Sequence, residues 1–135
     1  MKAVACLARH GVPVRLLHLS TLKPWGCPEL DSFVEAARRA IITVENHSVI
    51  GGWGSAVAEH LAQRGTCARL IRLGLQDTYA HGASRAYLMR EYGLDARAVV
   101  SAVESVVGRS CDISDEELST ARIDQASLFS KAEDL

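Results

Sequence analysis

Ala40-Ile41-Ile42-Thr43-Val44-Glu45-Asn46-His47-Ser48-Val49-Ile50-Gly51-Gly52-Trp53-Gly54-Ser55-Ala56-Val57 is the stretch whose reading decides the fold. Its first six residues are short, β-branched and apolar on both faces, as in a parallel strand covered by helices on either side. Residues 46–52 read as a loop, and residues 53–64 as a helix with Val57, Ala58 and Leu61 on its apolar side and Gly65 as its stop. Ala68-Arg69-Leu70-Ile71-Arg72-Leu73 comes at once as a second β-rich run ending at Gly74.

The same punctuation organises the flanks. Helix-forming residues lead to a stop at Gly11, and Val12-Pro13-Val14-Arg15-Leu16-Leu17-His18-Leu19 reads as a strand. Pro28 suits a first helical position, and Leu30, Phe33, Val34 and Ala37 predict an amphipathic helix over residues 28–39. Ser84 caps a helix running to Tyr92, and Asp95 caps another carrying Ala98, Val99, Ala102, Val103 and Val106 on one side. Strands alternating with helices across tight connections predict a three-layer α/β/α domain with a mainly parallel sheet over residues 1–108. Residues 109–135 read as a polar tail, with Ser114-Asp115-Glu116-Glu117 as a capping-box pattern for a short helix.

Composition narrows the function. The 135 residues fall within the size of one domain, and 5% aromatic content against 48% hydrophobic residues predicts an aliphatic core. A net charge of -1, without a basic stripe or aromatic platform, argues against a nucleic-acid partner. No apolar run approaches the roughly 20 residues that cross a bilayer, and the amino end lacks a signal peptide, so a cytoplasmic location is expected. Cys6, Cys27, Cys67 and Cys111 show no zinc-ligand spacing and read as reduced packing residues.

Chemistry concentrates where the strands end, at Glu45, Asn46, His47, Gly74 and Asp77. Taken alone, Gly52-x-Gly54 before a helix invites an anion or nucleotide site on the loop from Gly51 to Ser55. Against it, Val57 replaces the third glycine of a dinucleotide fingerprint, and no acidic residue closes the next strand. The alternative is that these glycines permit a sharp turn and close helix packing. Glu45 and His47 have the residue types of a proton-transfer pair, yet no motif marks a nucleophile, and loop hydrogen bonding or a partner contact is the stronger reading. Trp25 and Trp53 flank loops as interface anchors or core residues, and His81 sits on a loop.

Three stretches, in order and correctly spaced, carry a family resemblance. They are Ser20-Thr21-Leu22-Lys23-Pro24, the run from Thr43 to Glu59, and Leu73-Gly74-Leu75-Gln76-Asp77-Thr78-Tyr79-Ala80-His81-Gly82 leading to Tyr92-Gly93-Leu94-Asp95. Together the chain resembles the carboxy-terminal domain shared by transketolases and 1-deoxyxylulose-5-phosphate synthases. The run from Asp77 to Ser84 is more similar to two-subunit transketolases, in which this domain ends the smaller chain. The resemblance implies an enzyme that moves a two-carbon ketol unit between sugar phosphates, with thiamine diphosphate and Mg held by two preceding domains. It implies no catalytic, cofactor-binding or metal position in this chain. Its role would be to support the other domains or subunit through homodimer or heterotetramer contacts at Glu45, Asn46, His47, Trp53, Asp77 and His81. A free-standing docking or regulatory module for thiamine-dependent enzymes is the alternative.

The resemblance also implies a gap. Relatives carry a further strand and the whole first helix ahead of the point matching Met1, and that strand lies between the two expected at residues 14–19 and 41–45. Buried backbone groups without partners cost roughly 1–3 kcal/mol each. The expectation is an internal start or a strand supplied by a second chain, with poor cooperativity or self-association of the chain alone.

Overall fold

The computed structural model describes residues 1–121. Its elements are α1 (Lys2–Arg9), α2 (Pro28–Glu35), β1 (Ala40–Ser48), α3 (Trp53–Gln63), β2 (Arg69–Leu75), α4 (Arg85–Glu91), α5 (Ala96–Val107) and α6 (Asp115–Thr120). β1 and β2 pair in parallel, with Ala40 beside Arg69 and Val44 beside Leu73, and the register shifts before Ser48 meets Leu75. Helix α3 is the crossover that a parallel pair requires.

Two cores sandwich this sheet. Ala3, Cys6 and Leu7 of α1 pack with Val100 and Val103 of α5, and Ile42 leans on that cluster. Leu30 and Val34 of α2 pack with Val57 and Leu61 of α3, and Ile41 belongs to that second cluster. Neighbouring residues of a strand point to opposite faces, so the two clusters lie on opposite sides of β1. The three-layer α/β/α arrangement with a parallel sheet is therefore present, built from aliphatic residues as expected.

The expected strand at residues 12–19 is not formed. Among the described residues, no backbone hydrogen bond between main-chain groups involves residues 13–26. Val14 nevertheless packs on the α1–α5 cluster, and Leu17 and Leu19 pack on the α2–α3 cluster. The alternation that suggested a strand is real, and it records which way side chains face. A ladder needs a neighbouring backbone, and among the described residues none bonds to this segment.

Other boundaries move by a few residues. Helix α2 stops at Glu35 with Ala36 as its C-cap, because the chain must turn before β1 begins at Ala40. Strand β1 runs three residues past the expected end, carrying Asn46, His47 and Ser48 out of the loop. Both expected caps are present: the Ser84 hydroxyl accepts from Tyr87 N–H, and Asp95 Oδ1 accepts from Ala98 N–H at 2.9 Å. Gly108 ends α5 in the left-handed region at φ 73°, where a side chain would be strained. Asp95→Ala should cost about 1 kcal/mol, read as a lower urea midpoint at unchanged m-value.

The expected domain boundary at residue 108 is not a packing boundary. Cys111, Ile113, Leu118 and Ala121 are buried in the α1–α5 cluster. Arg97 fixes this return by donating to Asp115 Oδ1 at 2.7 Å and to the Ile113 carbonyl at 2.6 Å. The capping-box helix forms as α6, with the Ser114 hydroxyl accepting from Glu117 N–H, while the Glu117 side chain turns to His10 and Arg9. The part of the expected polar tail beyond residue 121 lies outside the described residues.

Candidate functional site

The carboxyl ends of β1 and β2 are organised around one carboxylate. Glu45 points to the same face as Ile41 and Thr43, toward α3, and is 6% exposed. Its Oε2 accepts from Trp53 N–H at 2.5 Å and its Oε1 from Gly54 N–H at 2.9 Å. These are orphan amides at the amino end of α3, whose N-cap, Gly52, has no side chain to satisfy them. Glu45 therefore caps the helix from the strand, with its charge at the positive end of the helix dipole.

Three glycines make room for it. A Cβ on Gly52 would overlap Glu45 Oε2 and lie 2.6 Å from the Ser48 carbonyl oxygen. One on Gly54 would lie 2.6 Å from Arg72 Cδ and 3.0 Å from Glu45 Oε1. One on Gly74 would lie 2.8 Å from Val49 Cγ1 and 3.1 Å from Glu45 Cγ. The glycines thus answer the close-packing reading. An incoming anion would find the α3 amides taken by a resident carboxylate and would meet its charge, which removes the ground for an anion or nucleotide site between Gly51 and Ser55. The loop is closed further by the Ser55 hydroxyl, which donates to Val49 O at 2.8 Å, and by Arg72 Nη1, which donates to the same carbonyl at 3.2 Å.

The remaining expected contact residues are not one cluster. Asn46 and His47 are exposed, and His47 Nδ1 lies 3.1 Å from the Ser48 carbonyl, so Nδ1–H donates locally and no bond joins it to Glu45. Glu45 faces inward, so it supports the surface from beneath and does not itself line it. Asp77 is exposed in the left-handed region at φ 46°. His81 stacks edge-on against Tyr87 with ring centres 5.8 Å apart, and its Nδ1 is 3.5 Å from Tyr92 Oη. Tyr92 Oη also donates to Tyr79 O at 3.4 Å, tying the loop to α4. Ile50 is 61% exposed and Tyr79 fully so. The sequence reading passed over both, although a large apolar side chain in a glycine- or alanine-rich loop is the available hint.

A second network went unread as well. Half-buried Trp25 packs on Trp53 with ring centres 5.4 Å apart and donates Nε1–H to His60 Nδ1 at 3.3 Å. His60 Nε2 lies 3.0 Å from Asp31 Oδ1 in a geometry that makes no hydrogen bond, and the buried nitrogen has no hydrogen-bond partner among the described residues. Asp31 also pairs with Arg64, which reaches Glu35 at 3.2 Å. This network latches the residue 23–26 loop onto α2 and α3. Trp25→Phe keeps the ring contact and loses the donor, and it should cost about 1 kcal/mol in a urea titration.

Comparison with known proteins now identifies the domain. The family described as "Transketolase, C-terminal domain" matches residues 1–99. The chain belongs to the transketolase C-terminal domain family. A 1-deoxy-D-xylulose-5-phosphate synthase of Chlorobium phaeovibrioides is 38% identical over 103 residues, covering 76% of this chain and 16% of the synthase. A putative transketolase C-terminal section of Methanocaldococcus jannaschii is 29% identical over 103 residues, covering 76% of this chain and 31% of that protein. A synthase of Cutibacterium acnes is 33% identical over 110 residues, covering 80% of this chain and 17% of its own length. The chain thus spans between about one-sixth and one-third of these relatives.

Members of this family depend on thiamine diphosphate. Among the described residues no set of three His, Cys, Asp or Glu side chains converges as metal ligands. The amides at the amino end of α3, which could otherwise meet an anion, are occupied by Glu45. No helix among the described residues is long and apolar enough to cross a membrane.

Proposed function

We propose that this transketolase C-terminal domain is the structural and contact portion of a thiamine-diphosphate-dependent transketolase and is not catalytic alone. In this reading it packs on the other domains or subunit of a cytoplasmic homodimer or heterotetramer, which transfers a two-carbon ketol unit between sugar phosphates. The observation that carries it is the exposure of two large apolar side chains, Ile50 and Tyr79, in the loops that follow β1 and β2. Large apolar side chains left in water favour a protein contact. The small share of each relative that this domain covers supports further domains or a second subunit as the partner. A 1-deoxyxylulose-5-phosphate synthase is the second reading, favoured by the 38% identity to the Chlorobium enzyme.

The test is co-purification of the tagged full chain from its source cells, with mass spectrometry of the polypeptides retained with it and a fluorescence assay for thiamine. The expected result is a transketolase- or synthase-type polypeptide carrying thiamine diphosphate. Ile50→Ser with Tyr79→Ser should reduce recovery at least about tenfold while the urea midpoint stays put. Ketol transfer by the purified chain alone, or recovery without any thiamine-dependent polypeptide, would sink the proposal.

A further inference from the structure

Helix α3 and the segment from Leu22 to Pro28 border a groove that the proposed contact role does not use. It consists of two adjoining cavities of about 610 and 320 Å³, within the roughly 300–1,000 Å³ of small-molecule sites. Trp25, His60 and Gln63 line both, so the cavities meet at these three side chains. The larger continues over Asp31 and Arg64, and the smaller toward Lys23 and Glu59.

One buried group at this junction lacks a partner. His60 is 8% exposed, and its Nδ1 accepts the indole N–H of Trp25. In the neutral ring the proton then sits on Nε2, a buried donor without a hydrogen-bond partner among the described residues. Asp31 Oδ1 is 3.0 Å away in a geometry that makes no hydrogen bond, while Oδ2 is held by Arg64. A donor and an acceptor thus stand side by side, and neither satisfies the other. One hydroxyl placed over the pair would accept from Nε2–H and donate to Oδ1, whereas a group that only accepts, or only donates, would leave one of them open.

The rest of the lining sets the class of molecule. Its charged side chains are Lys23 and Arg64 against Asp31 and Glu59, so it gives neither an anion nor a cation a net attraction. Arg64 is already engaged by Asp31 and Glu35. Half-buried Trp25 offers an indole surface on which C–H groups pack, and exposed Gln63 both donates and accepts. We infer that this groove is a binding site for a neutral polyhydroxy compound, a sugar ring or cyclic polyol, seated on Trp25 with one hydroxyl on the His60–Asp31 pair and another on Gln63. The balanced charge separates it from a site for sugar phosphates, which would need a surplus of cations.

The probes are D-glucose and myo-inositol, each titrated into the isotope-labelled full chain and followed by NMR of the Trp25 indole N–H and the His60 ring. The expected result is a saturable shift of both signals with at least one probe, and none with inorganic phosphate at the same concentration. Gln63→Ala, at an exposed position on α3, should weaken binding at least about threefold and leave the urea midpoint unchanged. Absence of a saturable shift with both probes overturns the inference, since the unpaired donor would then serve a water or the packing of the loop alone. Equal shifts with phosphate overturn it as well, by making the groove an anion site. So does unchanged affinity in Gln63→Ala, which would place the probe elsewhere on the surface.

Discussion

Glu45→Ala should destabilise the domain by about 3 kcal/mol, because it removes two charge-assisted hydrogen bonds and leaves the Trp53 and Gly54 amides unpaired. Gly54 N–H is buried, so water cannot readily replace the carboxylate. The loss should appear as a lower urea midpoint and as faster hydrogen exchange at those two amides, which are local reporters even where global unfolding is not two-state. Glu45→Gln is the informative companion. Its carbonyl can accept from one amide while its NH2 opposes the other, so the loss should be about half as large. If Glu45 were only a surface contact, neither substitution would move the midpoint by more than about 0.5 kcal/mol.

The parallel pair and its crossover helix were legible because Ile41, Ile42 and Val44 are β-branched and apolar on both faces, and glycines bracket α3. The strand at residues 12–19 was misread for a physical reason: periodicity reports side-chain burial, while a strand also needs a backbone partner, which the sequence of the segment does not encode. The packing of Ile113 and Leu118 was missed because single apolar residues in a polar run carry no period. Their burial depends on Arg97, far away in sequence, holding the returning chain.

At the site, the strand-end location was legible and the role of Glu45 was not. The readable hint was negative. Gly52 precedes α3 where Ser, Thr, Asp or Asn would ordinarily cap, so the first amides of the helix need an acceptor from elsewhere. Glu45, ending a strand on the face toward α3, is the residue that can supply one. The Trp25–His60–Asp31 network had no comparable trace, since its members come from a loop and two helices that only the packed fold brings together.

Gly52→Ala should cost about 2 kcal/mol, and the reason is occupancy of space by Glu45. Gly52 sits at φ -90° and ψ -163°, an extended conformation open to alanine, so the backbone itself does not demand glycine. What forbids the methyl group is the overlap with Glu45 Oε2 and the Ser48 carbonyl 2.6 Å away. The overlap makes a coupling prediction. In Glu45→Ala the carboxylate is gone and the methyl meets only the carbonyl, so the double variant should lose about 1 kcal/mol less than the sum of the single losses. Additive losses in a double-mutant cycle would mean that the Ser48 carbonyl alone excludes a side chain at residue 52. The glycines would then serve the turn, and the cap would be independent of them.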